Sequence, residues 1–306
     1  MDISSYFKQA IDRKASDLHL VGGSIPALRI DGDLVKLSNE KIDPDDLEKA
    51  VFTIIFGKGR ERFKRERELD LALDFFGSSF RVNLHYQEGK IGLSARLIHD
   101  DVPTPEEIGF SETMYNLTHL RDGLVLVTGP SGSGKSTTLA CMLDLINRER
   151  RAHIITIEDP IEYTFKEDQS IIEQRELGRD TMSFASALKY ALRQDPNVIM
   201  VGEMRDLETI AAAITAAETG HLVISTLHTS TAPETIERIV DVFPSHQQQQ
   251  ILGQLASTLR AVVAQTLIPR KDGGRIAARE ILINNNAIAN FDQTKSDSSN
   301  IFGNTD

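Results

Sequence analysis

The segment Leu124-Val125-Leu126-Val127-Thr128-Gly129-Pro130-Ser131-Gly132-Ser133-Gly134-Lys135-Ser136-Thr137-Thr138-Leu139 decides the fold of this chain. Its first residues form a short apolar run of the kind buried on both faces of a parallel sheet, and its last residues open a helix. Between them, Gly129 to Ser136 satisfies the pattern G-x-x-x-x-G-K-[ST]. Glycines at these places let successive backbone N–H groups converge on phosphate oxygens, the helix N-terminus adds its positive end, and an ammonium group supplies a point charge. The expected nucleotide cradle is therefore Gly129, Pro130, Ser131, Gly132, Ser133, Gly134, Lys135, Ser136 and Thr137, with Ser136 expected to ligate Mg2+. The nucleotide expected there is ATP.

Working outward, three further apolar runs stand at Ile154 to Ile157, Val198 to Val201 and Leu222 to Thr226. They alternate with helical patterns, which predicts an α/β domain with a parallel sheet covered on both faces. Phe184, Ala187, Leu188, Ala191 and Leu192 recur at helical spacing, and Asp195-Pro196 ends that helix. Asp206 is placed to cap an alanine-rich helix that stops at Gly220. Single cysteine Cys141 falls on the helix after the glycine loop and is expected to pack.

A phosphate loop alone does not separate motor ATPases from kinases or GTPases, so the carboxylates decide the class. Glu203 follows the run Asn197 to Gly202, at the carboxyl edge where open α/β sheets place their chemistry, and is read as orienting or deprotonating the attacking water. Gly202 stands where an Asp ordinarily helps to hold magnesium. Glu158, Asp159 and Glu162 follow the preceding strand, and Glu162 is read as a partner of Mg2+ or its waters; a solvated acidic turn is the alternative. His228 ends the fourth strand within reach of a γ-phosphate, the alternative being a satisfied core histidine.

The first hundred residues differ in pattern. A helix around Ser5 to Lys14 is followed by alternating segments such as Phe80-Arg81-Val82-Asn83-Leu84, with Asp31-Gly32-Asp33 as a hairpin turn. This predicts an α+β domain over 1–99, a linker over 100–109 marked by Pro103 and Pro105, an α/β domain over 110–283, and a polar, disordered tail over 284–306. With 306 residues, a net charge of -11 and 40% apolar residues, the chain reads as a globular protein that does not use nucleic acid as its main ligand. No stretch reaches the roughly 18 apolar residues of a membrane span, which predicts a cytoplasmic protein. One cysteine excludes a cysteine-based zinc site within the chain, so no zinc is expected.

Taken together, the phosphate loop, the acidic box Thr156 to Glu162, the run Gln174-Arg175-Glu176, the box Val201 to Asp206 and the histidine box Thr219 to His228 closely resemble the type IV pilus retraction ATPases (PilT-like) of the type II/type IV secretion ATPase superfamily. In the first domain Ser16 to Leu20, Arg29 to Gly32 and Phe80 to Asn83 also look like the family's, and the likeness covers nearly everything from Ser16 to Ile283. The resemblance implies a PAS-like N-terminal domain, a RecA-like P-loop ATPase domain, a homo-hexameric ring and a platform protein of the pilus machinery at the cytoplasmic face of the inner membrane. It also implies that Glu203 is the catalytic carboxylate, that Glu162 assists at the metal, that His228 senses nucleotide, and that Arg81 and Arg96 act as arginine fingers. The expected function is an ATP-hydrolysing motor for pilus retraction; a regulatory ring subunit and a small-molecule P-loop kinase are the alternatives. The family's A-I-R-N-L-I-R-E segment is replaced here by Ala287-Ile288-Ala289-Asn290 and the polar tail.

Overall fold

The computed structural model describes residues 1–30, 32–98, 102–271 and 273–284. The chain divides into two compact units, Met1–Asp100 and Asp101–Asp306.

Unit 1 runs α1 (Ser4–Asp12), β1 (Asp17–Val21), β2 (Ala27–Ile30), β3 (Asp33–Lys36), α2 (Pro44–Ile54), α3 (Lys58–Glu66), β4 (Glu68–Phe75), β5 (Ser78–Gln87) and β6 (Lys90–Leu97). Its strands make one antiparallel sheet in the order β3-β2-β1-β6-β5-β4. Alternation decides which face is buried: Phe80, Val82 and Leu84 of β5 join the core, while Arg81, Asn83 and His85 point away from it. The core gathers Phe7 and Ala10 of α1, Leu47 and Val51 of α2, and Phe63 of α3. Phe7 stacks on Phe75 at 4.0 Å between centroids and meets Phe80 edge-on at 4.8 Å. Burial of such a ring stabilises by about 1.5–3 kcal/mol, so this cluster is where the helix is anchored to the sheet. Two residues join β2 to β3, and Gly32, at φ +96, supplies the left-handed conformation that this turn needs.

Unit 2 runs α4 (Glu112–Thr118), β7 (Gly123–Thr128), α5 (Lys135–Glu149), β8 (His153–Glu158), β9 (Ile171–Glu176), α6 (Phe184–Ala191), β10 (Val198–Val201), α7 (Leu207–Glu218), β11 (Leu222–Leu227), α8 (Ala232–Asp241), α9 (Ser245–Thr258), β12 (Leu259–Pro269) and β13 (Arg275–Ile283). Among the described residues its sheet has the order β13-β12-β7-β11-β10-β8-β9. All neighbours are parallel except β13, which pairs antiparallel with β12. The all-parallel expectation is corrected at that edge. Gly273 and Gly274, both at positive φ, turn the chain back directly, so no crossover helix is needed.

Two-sided burial explains the unbroken apolar runs. Leu124 and Leu126 face a core shared with α6, α7, α8 and α9, whereas Val125 and Val127 face a second core shared with α4 and α5. The same division holds for Ile155 and Ile157 against Ile154, and for Ile199 and Val201 against Val198 and Met200. Helix α7 starts where Asp206 accepts from the Thr209 amide at 2.8 Å, and Gly220 follows its end at φ +94.

The stretch 104–110 forms a turn segment of unit 2: Thr104 N–H donates to Glu107 Oε2 at 2.7 Å, and Phe110 N–H donates to the Pro105 carbonyl at 2.8 Å. The expected tail begins with an ordered residue, since Asn284 Nδ2 donates to the carbonyls of Ala256 and Leu259 at 3.0 and 2.8 Å. From 285 onward the tail expectation lies outside the described residues.

Candidate nucleotide site

Because β7, β8, β10 and β11 are parallel, their carboxyl ends share one edge of the sheet, and each end carries a residue singled out from the sequence. The glycine loop follows β7, Glu158 to Glu162 follow β8, Glu203 follows β10 and His228 follows β11.

The loop is built by backbone conformations that L side chains rarely adopt. Gly129, Gly132 and Gly134 have φ of +144, +76 and +86. A Cβ on Gly129 would collide with the Gln265 carbonyl of β12, so the loop's base is seated on that strand. Helix α5 then begins with Lys135. Helices α4, α6, α7 and α8 have their first amides capped by the side chains of Ser111, Ser183, Asp206 and Thr231, but α5 has Gly134 at this place and no side-chain cap. Its first-turn N–H groups lack intrahelical partners and point out of the edge together with the helix's positive end, which is the donor set of an anion site. Ser133 Oγ and Thr128 Oγ1 are buried beside the loop without hydrogen-bond partners.

Lys135 is buried, and its Nζ donates to the Gly129 and Pro130 carbonyls at 2.8 and 3.0 Å, across the mouth of the loop. Burial lowers its pKa, and the charges of Glu203 and Glu162 oppose that shift. The structure thus brings Lys135, Glu203 and Glu162 into one electrostatic neighbourhood. Ser136 and Thr137 follow on the first turn of α5, and Thr137 Oγ1 lies 3.0 Å from the Tyr163 hydroxyl.

Glu203 is held by two cations or potential cations: Arg205 Nε at 2.7 Å on Oε1, and His228 Nε2 at 3.3 Å on Oε2. His228 is exposed and in contact with the carboxylate, so it is not a core histidine. Gly202 also has a structural reason. Its N–H donates to the Ile157 carbonyl at 2.7 Å, its carbonyl accepts from Thr226 Oγ1 at 2.6 Å, and a Cβ would lie 3.3 Å from the Ile157 carbonyl oxygen. A larger residue here would press β10 away from β8.

The three carboxylates after β8 separate by burial. Glu158 is buried, whereas Asp159 and Glu162 are exposed. Burial raises the Glu158 pKa to about 7, against hydrogen bonds from Thr156 Oγ1 at 2.6 Å and Gln174 Nε2 at 3.2 Å and from the Glu162 N–H. Gln174 also donates to the Tyr163 carbonyl at 2.8 Å, and its Oε1 accepts from the Phe165 N–H at 3.2 Å. Glu158 and Gln174 therefore shape the acidic turn from inside, and of the two exposed carboxylates Glu162 is the one whose charge acts on Lys135. Sequence reading quoted Gln174 without a role and gave none to Glu158; an acid ending an otherwise apolar strand was the available signal. Gln265 was missed altogether. Its Nε2 donates to the Ser133 carbonyl at 2.8 Å, from a strand more than a hundred residues along the chain.

Arg81 and Arg96 stand in unit 1, directly opposite each other on β5 and β6. Asp17 of β1 is the cross-strand partner of both Arg96 and Arg29. Arg96 Nε donates to Asp17 Oδ1 at 3.0 Å, and Arg29 Nε lies 3.9 Å from Oδ2. Although burial acts to raise it, the Asp17 pKa lies below the ordinary value, held there by hydrogen bonds from Ser16 and Arg96 and by the charge of Arg96. The carboxylate holds Arg96 by its Nε while the side chain as a whole stays exposed.

A glycine loop between a buried strand and an uncapped helix, with a carboxylate ending a neighbouring strand, defines a P-loop nucleoside triphosphatase. Comparison with known proteins carries this further. The family described as "Type II/IV secretion system protein" matches residues 107–298. The "Type IV pilus retractation ATPase PilT" of Pseudomonas aeruginosa is 45% identical over 292 residues, 95% of this chain and 85% of that protein. A "Twitching motility protein" of Neisseria gonorrhoeae is 43% identical over 268 residues, 87% of this chain and 72% of that protein. The crystal structure of "the Pilus Retraction Motor PilT and Bound ADP" superimposes with a TM-score of 0.89 at 47% identity, covering 95% of this chain and 85% of that one. This chain belongs to the type II/IV secretion system protein family and is a PilT-like ATPase within it. Its fold is α/β, a smaller α+β N-terminal domain followed by a RecA-like ATPase domain. Among the described residues no helix is long and apolar enough to cross a membrane.

Proposed function

We propose that this chain is a subunit of a homo-hexameric motor that hydrolyses Mg-ATP to drive type IV pilus retraction, working on a platform protein at the cytoplasmic face of the inner membrane. The observation that supports it most is a likeness spanning 95% of the chain to a protein named for retraction, with the loop, the carboxylates and the histidine gathered on one sheet edge.

In this reading the amides of Gly132 to Thr137 and the α5 N-terminus cradle the α- and β-phosphates. Lys135 turns from two loop carbonyls toward the β/γ-phosphates, exchanging neutral acceptors for charged ones. The Ser136 hydroxyl and the exposed Glu162 carboxylate fit a magnesium ion or its waters, which would neutralise charge on the phosphates when bound. Glu203 orients the attacking water and takes its proton, and His228 and Arg205 hold that carboxylate in place. His228, exposed at the same strand end, donates to the γ-phosphate and so distinguishes ATP from ADP. Arg81 and Arg96 neutralise charge developing on the transferred phosphoryl group.

Phosphate release from ATP measured together with solution mass tests the proposal. Release without any added acceptor, from a particle of six subunits, is the expected result. ADP formed only when a small-molecule acceptor is present, with the phosphoryl group carried on that acceptor and no free phosphate, would mean a kinase, and nucleotide binding with negligible turnover would mean a regulatory ring subunit.

A further inference from the structure

A half-buried guanidinium ties the phosphate loop to the segment that opens unit 2. Arg279, on β13, donates from Nη1 to the Ile108 carbonyl at 3.0 Å and the Gly109 carbonyl at 2.9 Å. The same fork turns its other edge inward: Nε donates to Gln265 Oε1 and Nη2 to Thr138 Oγ1, each at 3.3 Å. Thr138 Oγ1, on the first turns of α5, donates to Gln265 Oε1 at 2.9 Å. Thr138 and Gln265 are buried, so these donors and acceptors have few alternatives.

The donor directions close on themselves. Gln265 Oε1 accepts from both Arg279 and Thr138, which forces the amide's Nε2 onto the Ser133 carbonyl inside the phosphate loop. The loop cannot shift at Ser133 without turning this amide, and the amide cannot turn without releasing Arg279. At the far end the partner is equally firm. Thr104 and Glu107 cap each other's backbone N–H groups, Phe110 closes onto Pro105, and a Cβ on Gly109 would lie 3.2 Å from Ile276 Cδ1. The turn 104–110 is thus a small hydrogen-bonded piece pressed against β13, and it is the first such turn among the described residues of unit 2. A strand arginine serving only as a solvated charge would not spend four donations on two loop carbonyls, an amide and a hydroxyl.

We propose that Arg279, Gln265 and Thr138 are positioning residues that link the phosphate loop to the turn 104–110, so that nucleotide on the loop stiffens the segment through which the chain enters the ATPase unit. Beyond the Gln265 bond to the Ser133 carbonyl, neither the nucleotide site nor the likeness to retraction ATPases assigns these residues a role. The inference rests on the nucleotide reading of the loop, and the test separates the two.

Amide hydrogen exchange is measured on the full chain with and without Mg-ADP, following peptides over 104–110 and over 129–137, in the wild type and in Arg279→Lys and Thr138→Val. Lysine keeps the charge but not the fork, and valine keeps the shape but not the hydroxyl. In the wild type, nucleotide is expected to slow exchange in both peptides, by about fivefold or more in the turn. In both variants the loop peptide keeps its protection while that of the turn falls to under about twofold. Turn protection unchanged in both variants, or absent in the wild type while the loop is protected, overturns the link. Absence of protection even in the wild-type loop would overturn the nucleotide reading itself. A merely structural role would loosen the turn equally with and without nucleotide and leave the ratio between the two states unchanged, which also counts against the proposal.

Discussion

The two units place their polar side chains by opposite rules. In unit 1 every second residue of β5 is buried, which leaves a whole face of the sheet for chemistry: Arg29, Asp17, Arg96 and Arg81 form one row across β2, β1, β6 and β5. In unit 2 both faces of β7, β10 and β11 are buried, and no face is left. Chemistry moves to the strand ends, where Lys135 opens α5, Glu158 closes β8, and Glu162, Glu203 and His228 stand in the loops after β8, β10 and β11. A face site takes its geometry from strand register, so each side chain has a neighbour fixed by pairing, as Asp17 has Arg96. An edge site takes its geometry from backbone turns and helix ends, so glycines and amides matter as much as side chains.

This contrast can be broken at several points. Arg81, if it is a finger on a face, is dispensable for folding and essential for turnover. Arg81→Ala is expected to lower ATP hydrolysis by on the order of 10³-fold with an unchanged unfolding midpoint. If Arg81 of one subunit of the proposed ring reaches the nucleotide of its neighbour, mixing Arg81→Ala with Lys135→Ala subunits is expected to restore part of the activity; mixtures that never recover would mean that Arg81 does not act across subunits. Glu203→Gln, at the edge, is expected to keep nucleotide affinity while hydrolysis falls about 10²-fold. Turnover at the wild-type rate would unseat Glu203 as the group that handles water.

Glu158 sharpens the comparison through pH. Its folded pKa of about 7 lies above the ordinary 4.5, so the folded state holds a proton that the unfolded state releases first. The corresponding stability is complete below about pH 4.5 and is lost as pH rises through 7, an effect of up to about 3 kcal/mol. Glu158→Gln is expected to flatten the decline in stability between pH 5 and 8, by about 1–3 kcal/mol, in denaturant titrations at several pH values. An identical slope in the variant would place the titration elsewhere.

How much of this was legible beforehand follows from range. The glycine loop, the four buried strands, the Asp206 cap and the strand-end positions of Glu203 and His228 are local patterns, and a local pattern carries its own geometry. Strand β9 was not read as a strand, because Ile171 to Glu176 lies at the sheet edge with exposed and half-buried residues and lacks the apolar run of its neighbours. Strand β13 hid the antiparallel edge for the same reason. Among the carboxylates of the acidic box the sequence singled out Glu162, but only folding shows that Glu158 is buried while Asp159 and Glu162 are exposed. Gln265 and Arg279 owe their places to contacts with residues more than a hundred positions distant, and nothing in their own neighbourhood marks them.

The central claim is that the amides at the α5 N-terminus and the Lys135 ammonium group grip a nucleotide's phosphates. Titration calorimetry of ADP into the folded full chain, with magnesium, tests it directly against Lys135→Ala. The account predicts saturable heat for the wild type and an affinity lowered by at least about tenfold in the variant. No heat from the wild type, or equal affinity in the two proteins, would contradict it.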